Sequence, residues 1–390
     1  MIPPGAASQG SEPLGQMEPR HLTPIQQRNR RTLRVLAMLF GFGVAIFGTE
    51  IVLRIWRNHV GQSDQMEPGM IQREPKAGWK LSAGWKGTHQ HHDFSVAYSV
   101  DSSGRRFDPT VQNGASNWVA TVGDSFTFGL GVEDAETFTA LLNRQESSRF
   151  LNFGIPGFST DQELILIENE ILPRHPPEII LVVYLGNDLF DNLRFVPLQV
   201  GAPKPRFEIQ NDQLVLMQPE AEGTVSSNPA GVDPAAAVLN PISRYRWRQK
   251  LEQSSLVFGF ASRSLPAPDL TDEFSVQFQP ALALFSKLMS RLRDRCRENG
   301  TTLRVALLGS SAFINQPRSV SGQYQEYLQR EIRQIAREQS VALIDLAEEM
   351  RQLRASGVSS RGWYHPNEGH LTPEGHQVVA DLLAKALKVN

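Results

Sequence analysis

Two short stretches of the sequence carry residue types that could act together in nucleophilic chemistry. The first, GDSFTFGLGV at residues 123–132, contains Ser125 and directly follows the apolar run WVATV. The second, WYHPNEGHLTPEGH near the carboxyl terminus, holds His365, His370 and His376. A serine hydroxyl is a weak nucleophile at neutral pH and needs an adjacent base, commonly a histidine. Because Gly-Asp-Ser also recurs by chance, the pairing needs support from the elements that would position it.

Apolar runs and helical patterns alternate from residue 118 to the end of the chain. The runs WVATV, FLNFG, EIILVVY, LRVALL and VALIDL are short and apolar. Segments such as DAETFTALLNRQ and TPEGHQVVADLLAKAL have helical spacing and lie near them. This alternation predicts an α/β fold with a mostly parallel sheet covered on both faces. Ligands of such folds bind at the carboxyl ends of the strands, where GDS, the glycine-rich turn and GND fall.

Four motifs stand in order along this part of the chain, namely GDS, NFGIPG, GND and HLTPEGH. The ordered set resembles the SGNH (GDSL-type) hydrolase superfamily over roughly residues 118–388. An N-terminal apolar span and the DSSGRR segment before the first strand are similar to membrane-anchored bacterial members. The resemblance implies a flavodoxin-like, three-layer α/β/α fold with a mostly parallel sheet, preceded by one transmembrane helix.

The resemblance also implies a role for each motif. Ser125 is the expected nucleophile, and the oxyanion hole is expected to consist of the Ser125 N–H, the Gly157 N–H and the Asn187 side chain. An asparagine amide suits charge that appears only in the transition state. By itself, Asn187 followed by aspartate is also common turn chemistry. Asp124 is expected to order its own turn.

The catalytic histidine of the family lies six residues before the histidine of a Gly-His pair that opens the last helix. His370 and His376 have that spacing. Thr372 is a good N-cap and Pro373 a good first helical residue, which places His370 in the preceding loop. His376 then falls in the first turn, with a structural role. His365 is the second candidate, although its distance to the next Gly-His pair is one residue short.

The orienting acid departs from the family's pattern. The family usually has an aspartate two or three residues before the catalytic histidine, where this chain has Asn367 and Glu368. Glu368 could replace the aspartate, since either carboxylate can hold the imidazole tautomer. The glutamate side chain is one methylene longer, however, which changes how the carboxylate approaches the imidazole ring. The alternative is a backbone carbonyl, which leaves a dyad of Ser125 and His370.

The expected function is therefore that of a serine esterase acting on small acyl esters, such as acetyl esters, through an acyl-enzyme on Ser125. Cell-envelope saccharides or lipids are the candidate substrates. The same residues could serve an O-acyltransferase. A decayed triad, with Glu368 turned away from His370, would instead leave a non-catalytic membrane-anchored binding or assembly protein. No metal or organic cofactor is implied, the net charge of -2 gives no bulk basicity for nucleic acid, and the oligomeric state stays open.

The amino-terminal part has a different character. Residues 1–29 are rich in Pro, Gly, Ser, Gln and charge and are predicted to be a disordered tail. Residues 33–55 are predicted to be a transmembrane signal-anchor, with no charge from Val35 to Thr49 and Trp56 at the interface. The excess of arginine before the span favours a catalytic domain on the periplasmic or extracellular side. The alternatives are a cleaved signal peptide, a buried core helix, and a docking helix of a cytoplasmic enzyme.

Two further segments complete the predicted organisation. Residues 58–115 are a lead-in with short strand signals such as FSVAYSV, and its histidine-rich stretch HQHHDF is predicted to be a solvated loop rather than a metal site. Residues 116–390 form the hydrolase-like domain, with an insertion at about 196–275 in which RYRWRQK is predicted to be a solvated helix. The single cysteine, Cys296, excludes a disulfide framework and is assigned to packing.

Overall fold

The computed structural model describes residues 24–62, 64–110, 118–145, 149–197, 202–219, 255–262 and 269–388. Most of the predicted tail and most of the predicted insertion, RYRWRQK included, lie outside the described residues. The chain divides into two compact units, Met1–Arg54 and Ile55–Asn390.

Helix α1 (Pro24–Gln62) begins before the predicted end of the tail. It contains one stretch, Arg28–Trp56, that is apolar enough to cross a membrane, with a mean hydropathy of 2.1. A helix of that length measures about 44 Å, which exceeds the hydrocarbon core of a bilayer, about 30 Å thick. The helix therefore has the length and composition of a membrane anchor or a signal sequence.

Five short strands follow in the segment predicted as a lead-in, namely β1 (Gln65–Met66), β2 (Ile71–Glu74), β3 (Gly78–Leu81), β4 (Lys86–Gln90) and β5 (Ser95–Ser99). Strands β1, β4 and β5 form an antiparallel sheet, and β2 and β3 form a hairpin. The strand predicted from FSVAYSV is confirmed by β5. Buried side chains of this segment, such as Trp79 and Tyr98, belong to the same hydrophobic core as the central sheet.

A five-stranded sheet forms the centre of the larger unit. Its strands are β6 (Trp118–Gly123), β7 (Arg149–Gly154), β8 (Glu178–Tyr184), β11 (Thr302–Leu308) and β12 (Ala342–Ile344). Their order is β12-β11-β8-β6-β7, and all neighbours are parallel. The run Ile179–Val183 in β8 is at most 1% exposed, as expected for a parallel strand covered on both faces. The predicted α/β class with a mostly parallel sheet is confirmed.

Helices flank this sheet, and one hairpin, β9 (Arg206–Gln210) with β10 (Gln213–Met217), lies in the region of the predicted insertion. The helices are α2 (Ser125–Phe128), α3 (Phe138–Gln145), α4 (Thr160–Leu166), α5 (Asp188–Asp191), α6 (Leu256–Ser262), α7 (Thr271–Gln277), α8 (Gln279–Asn299), α9 (Ser311–Asn315), α10 (Val320–Glu338), α11 (Leu346–Ala355) and α12 (Pro373–Lys388). Short 3-10 or π-helical turns cover Asp134–Glu136, Ile167–Ile171 and Leu172–Arg174.

Helix α8 shows how the flanking helices are buried. Its apolar residues recur at helical spacing and form one buried face, which includes Leu284, Leu288, Leu292 and Cys296. Burial raises the pKa of the Cys296 thiol to about 12. The thiol therefore stays protonated and unreactive at neutral pH, and the predicted packing role is confirmed.

Candidate active site

The nucleophile candidate lies where strand β6 ends and helix α2 begins. Asp124 is the N-cap of α2, and its Oδ1 accepts a hydrogen bond from the Phe126 N–H at 2.8 Å. Ser125 is the first residue of the helix, so its N–H has no carbonyl partner within the helix. The residue is only 2% exposed. Asp124 thus orders the turn, as predicted, and Ser125 is held at the carboxyl end of a central strand.

Ser125, His370 and Glu368 form one hydrogen-bonded series. Ser125 Oγ lies 2.6 Å from His370 Nε2, and His370 Nδ1 lies 2.5 Å from Glu368 Oε1. Glu368 Oε2 also accepts the backbone N–H of His370 at 2.9 Å. The long arm of the glutamate therefore folds back and binds both the ring and the backbone of the residue two positions later. With a carboxylate on Nδ1, that nitrogen carries the proton and Nε2 can accept the serine proton.

The charge of Glu368 follows from its surroundings. Burial raises the pKa of this carboxyl group, but its hydrogen bonds to His370 and the charge of that ring outweigh burial, so the pKa lies below the usual value. Glu368 is therefore ionised at neutral pH. An ionised carboxylate is the form that can hold an imidazole tautomer and stabilise an imidazolium.

The other two histidines of the motif have different partners. His376 is buried in α12, its Nδ1 accepts the Phe138 N–H at 3.1 Å, and burial lowers its pKa to about 3. His365 Nε2 lies 3.1 Å from the Gly131 carbonyl oxygen, and burial lowers its pKa as well. Both rings are therefore neutral at pH 7. The structure brings His370 to Ser125, and it does not bring His365 or His376 there.

Helix α12 begins as the sequence predicts. Its first residue is Pro373, and Thr372 Oγ1 accepts the Gly375 N–H at 3.2 Å, which is N-cap geometry. His370 consequently lies in the loop before the helix. The backbone of that loop is closed by a hydrogen bond from the His365 N–H to the His370 carbonyl oxygen at 2.8 Å.

The two further oxyanion-hole candidates follow the strands on either side of β6. Because the strand order is β8-β6-β7, Gly157 lies in the loop after one neighbour and Asn187 lies after the other. Gly157 has a φ of +78°, which favours glycine, and its N–H makes no hydrogen bond within the described part of the chain. Asn187 Nδ2 donates one hydrogen to Asp191 Oδ2 at 2.9 Å. The topology thus places these donors at the same sheet edge as Ser125.

Gly154 explains how closely the elements pack at this edge. A Cβ atom on Gly154 would lie 2.1 Å from the Phe128 backbone nitrogen in α2. No side chain fits there, because the backbone atoms it would meet cannot move aside. The glycine therefore permits the close approach of β7 to the helix that carries Ser125.

Several buried polar residues near the candidate site are not apparent from the sequence. Asp191 and Asn192 are fully buried. Asn192 Oδ1 accepts the Asp161 N–H at 2.9 Å, and Asp161 in turn forms a fully buried ion pair with Lys204. These contacts join segments that are far apart in the chain, and no local sequence signal indicates them.

The histidine-rich stretch of the lead-in also differs from its prediction. His89 is buried in β4, and its ring bonds the Tyr98 hydroxyl at 2.9 Å and Asp64 Oδ1 at 2.8 Å. His92 is exposed. The prediction of a solvated loop is therefore wrong for His89, which has a structural role. Within the described ranges, no group of three or more His, Cys, Asp or Glu residues could hold a metal ion.

Three buried carboxyl groups lie beside the candidate catalytic residues. Asp124 is next to Ser125, Asp188 is next to Asn187, and Glu163 belongs to α4. Neither oxygen of Glu163 has a hydrogen-bond partner among the described residues. Burial, then the charges of Asp124 and Asp161, raise the pKa of Glu163 well above 4.5. Burial raises the pKa of Asp124 to about 6 and that of Asp188 well above its usual value.

We predict that Glu163→Gln stabilises the protein increasingly as the pH rises. Because the folded-state pKa is raised above the unfolded value of 4.5, the contribution of Glu163 to stability is full below that value and is lost as the pH rises toward the folded pKa. Glutamine keeps the shape of the neutral acid and cannot ionise. Thermal unfolding of both proteins from acidic to alkaline pH measures the effect. A Tm difference that is the same at every pH would contradict the prediction.

The fold is of the α/β class, with a parallel central sheet and flanking helices, and it brings Ser125 and His370 together. Comparison with known families agrees, because the model of the GDSL-like Lipase/Acylhydrolase family matches residues 121–378. The match spans well over half of the chain, and this protein belongs to that family. It is an ester hydrolase, as the SGNH resemblance implied. A comparison with curated protein sequences gives no significant match.

Several solved structures are similar to this chain. A putative lipolytic protein of the G-D-S-L family from Desulfitobacterium hafniense DCB-2 is 14% identical, with a TM-score of 0.36, over 69% of this chain and 99% of that one. LAE5, an alpha/beta hydrolase enzyme from the metagenome of Lake Arreo, Spain, is 13% identical, with a TM-score of 0.40, over 70% and 95%. The acetyl xylan esterase AlAXEase is 14% identical, with a TM-score of 0.39, over 69% and 98%.

Proposed function

We propose that the protein is a serine esterase that hydrolyses small acyl esters through an acyl-enzyme on Ser125. The observation that carries the proposal is the series from Ser125 Oγ through His370 to the ionised carboxylate of Glu368. Nucleophilic catalysis by serine requires a base that is hydrogen-bonded to the hydroxyl and a third group that orients the base. This series supplies both.

The proposed reaction has two halves. Ser125 Oγ attacks the carbonyl carbon of the ester while His370 Nε2 takes the hydroxyl proton, and the resulting oxyanion accepts hydrogen bonds from the Ser125 N–H, the Gly157 N–H and the Asn187 amide. His370 returns the proton to the departing alcohol, which leaves the acyl group on Ser125. Water, activated by His370, then attacks the acyl-enzyme and releases the acid. Glu368 holds the Nδ1–H tautomer and stabilises the imidazolium in both halves.

Two features support a small acyl group, such as acetyl, as the substrate. Ser125 is only 2% exposed. The ring of Phe126 lies 4.4 Å from that of His370 and stacks on Tyr184 at 4.1 Å, centroid to centroid, so aromatic side chains lie next to the candidate base. We further propose an ester on a cell-envelope saccharide or lipid, in keeping with the apolar helix α1. Transfer to an acceptor hydroxyl would use the same residues. The non-catalytic alternative required Glu368 to point away from His370, and Glu368 instead binds that ring.

The test compares the full-length protein in detergent with its Ser125→Ala variant on an activated acetyl ester. We expect the variant to lose at least about 10⁴-fold in rate, because the residues of such a triad act as a unit. A fluorophosphonate should add its mass to the peptide that contains Ser125. Ser103→Ala, which changes an exposed serine, is the control and should behave as the wild type. Equal rates in the wild type and Ser125→Ala would refute the acyl-enzyme.

We also propose that α1 is an uncleaved membrane anchor with the catalytic domain on the periplasmic or extracellular side. Support comes from the length of the apolar stretch and from the arginines before it, since basic residues favour the cytoplasmic side. Cell fractionation is expected to release the full-length chain with detergent and not with high salt. Release by salt alone would indicate a docking helix, and a mature chain that lacks α1 would indicate a signal peptide.

A further inference from the structure

A carboxylate of the lead-in segment binds the turn that carries Glu368. Asp93 lies between β4 and β5, outside the residues matched by the family model, and its side chain is 3% exposed. Asp93 Oδ2 accepts the backbone N–H groups of Asn367 and Glu368 at 2.7 and 3.0 Å. Asp93 Oδ1 accepts the Asn367 side-chain amide at 2.6 Å. One side chain therefore makes three hydrogen bonds to two successive residues.

These hydrogen bonds bear on the position of the Glu368 backbone, from which its side chain extends toward His370. Glu368 must reach a ring only two residues ahead, and such a short connection depends on the conformation of the intervening backbone. That backbone includes Gly369 at a φ of +95°, a conformation open to glycine in particular. Hydrogen bonds from backbone N–H groups to a carboxylate are charge-assisted and are among the stronger ones in proteins. Asp93 thus fixes the backbone nitrogen next to the Cα atom of Glu368.

Asp93 is itself held by the lead-in. Its N–H donates to His91 Nδ1 at 3.1 Å. The neighbouring Phe94 ring lies 4.9 Å from His365 and 4.9 Å from His89, centroid to centroid, which joins the lead-in to the start of the catalytic loop. Burial raises the pKa of Asp93, but its hydrogen bonds from Asn367 and Glu368, together with the nearby His91 ring, lower it overall. The Asp93 carboxylate is therefore charged at neutral pH, and Asp93 is held both by the lead-in and by the Asn367–Glu368 turn.

We infer that Asp93 is a positioning residue for the hydrolase, because it holds the Asn367–Glu368 turn in the conformation that brings the Glu368 carboxylate to His370 Nδ1. The lead-in is then part of the catalytic apparatus and not a spacer between the anchor and the enzyme. The inference rests on the proposed role of Glu368 as the orienting acid.

The test measures steady-state kinetics of full-length Asp93→Ala with the activated acetyl ester. We expect kcat to fall by roughly 10- to 100-fold with little change in KM, since a misplacement of about 1 Å can cost that much. The NMR signal of the His370 Nδ1 proton should shift or broaden in the same variant. Asn367→Ala leaves both backbone hydrogen bonds in place and should lose less. His92→Ala, an exposed neighbour in the same loop, is the matched control and should keep the wild-type rate.

A double-mutant cycle shows whether Asp93 acts through Glu368. In the Glu368→Ala background, adding Asp93→Ala should cause little further loss. An equal loss in both backgrounds, or a kcat for Asp93→Ala within about twofold of the wild type, would overturn the inference. If Asp93→Ala does not fold, Asp93→Asn decides, because it removes the charge from the oxygen that accepts both backbone N–H groups; the weaker hydrogen bonds should lower kcat as well, by a smaller factor. The results also separate the inference from the proposed function. Full activity of Ser125→Ala would refute the proposed function itself. If Ser125→Ala and Glu368→Ala are inactive but Asp93→Ala is active, only the role of Asp93 is refuted.

Discussion

His370→Ala is expected to lower kcat/KM by at least about 10⁴-fold, as much as Ser125→Ala does. The physical reason is that His370 Nε2, 2.6 Å from Ser125 Oγ, is the only base within hydrogen-bond distance of that hydroxyl in the part of the chain that the structure describes. Among the described residues, the neighbouring titratable group Asp124 already binds the Phe126 N–H of its own turn. The double variant Ser125→Ala/His370→Ala should be no slower than either single variant, because each change disables the same step.

The measurement is hydrolysis of the activated acetyl ester by the three variants, with folding checked by circular dichroism. His365→Gln is the matched control, since glutamine can still donate to the Gly131 carbonyl oxygen that His365 binds. It should keep activity within about an order of magnitude of the wild type, as expected for a residue outside the triad. A large loss in His365→Gln together with an active His370→Ala would show that the assignment of the base is wrong.

Lys204→Met is expected to destabilise the protein by about 3–5 kcal/mol, because it leaves a buried carboxylate without its cation. The side chains of Lys204 and Asp161 are both 0% exposed, and Lys204 Nζ donates to Asp161 Oδ2. Asp161 also accepts the Ser159 hydroxyl at 2.8 Å and lies in the first turn of α4. Burial raises the pKa of Asp161 and lowers that of Lys204, while their mutual attraction opposes both shifts.

Urea denaturation of the wild type and the variant measures this effect. Lys385→Met is the matched control, because Lys385 is 67% exposed in its ion pair with Glu349 and should cost less than about 1 kcal/mol. Adding Asp161→Asn to Lys204→Met should recover part of the loss by removing the unpaired charge. If Lys204→Met alone lowers the free energy of unfolding by less than about 1 kcal/mol, the ion pair does not stabilise the protein as expected.

The buried pair also bears on the candidate site. Asp161 donates its N–H to Asn192 and holds Ser159, which lies two residues after Gly157. Asn192 directly follows α5, the short helix capped by Asn187. Lys204 therefore supports, through Asp161, the segments that follow Gly157 and Asn187, and Lys204→Met should lower kcat in the fraction of protein that remains folded.

The sequence by itself determined the fold class and the positions of the principal motifs, because those depend on local patterns. Apolar runs followed by GDS and GND predict strand ends, and parallel strands bring such ends to one edge of a sheet. The start of the last helix is also predicted from local chemistry, whereas the choice of His370 over His365 rests on the six-residue spacing to His376 that the family resemblance implies. Thr372 and Pro373 mark the start of α12, so the residue before them must lie in a loop.

Tertiary structure alone decided how the orienting acid is held and what supports it. From the sequence, Glu368 and a backbone carbonyl were both open, since the reach of a glutamate depends on the backbone turn beneath it. Asp93 lies 275 positions away from Glu368 along the chain, and Lys204 lies 43 positions from Asp161. Hydrogen bonds between residues so far apart in the chain produce no recognisable periodicity, spacing or turn motif in the sequence. They form only because the folded chain brings these groups together and excludes water from them.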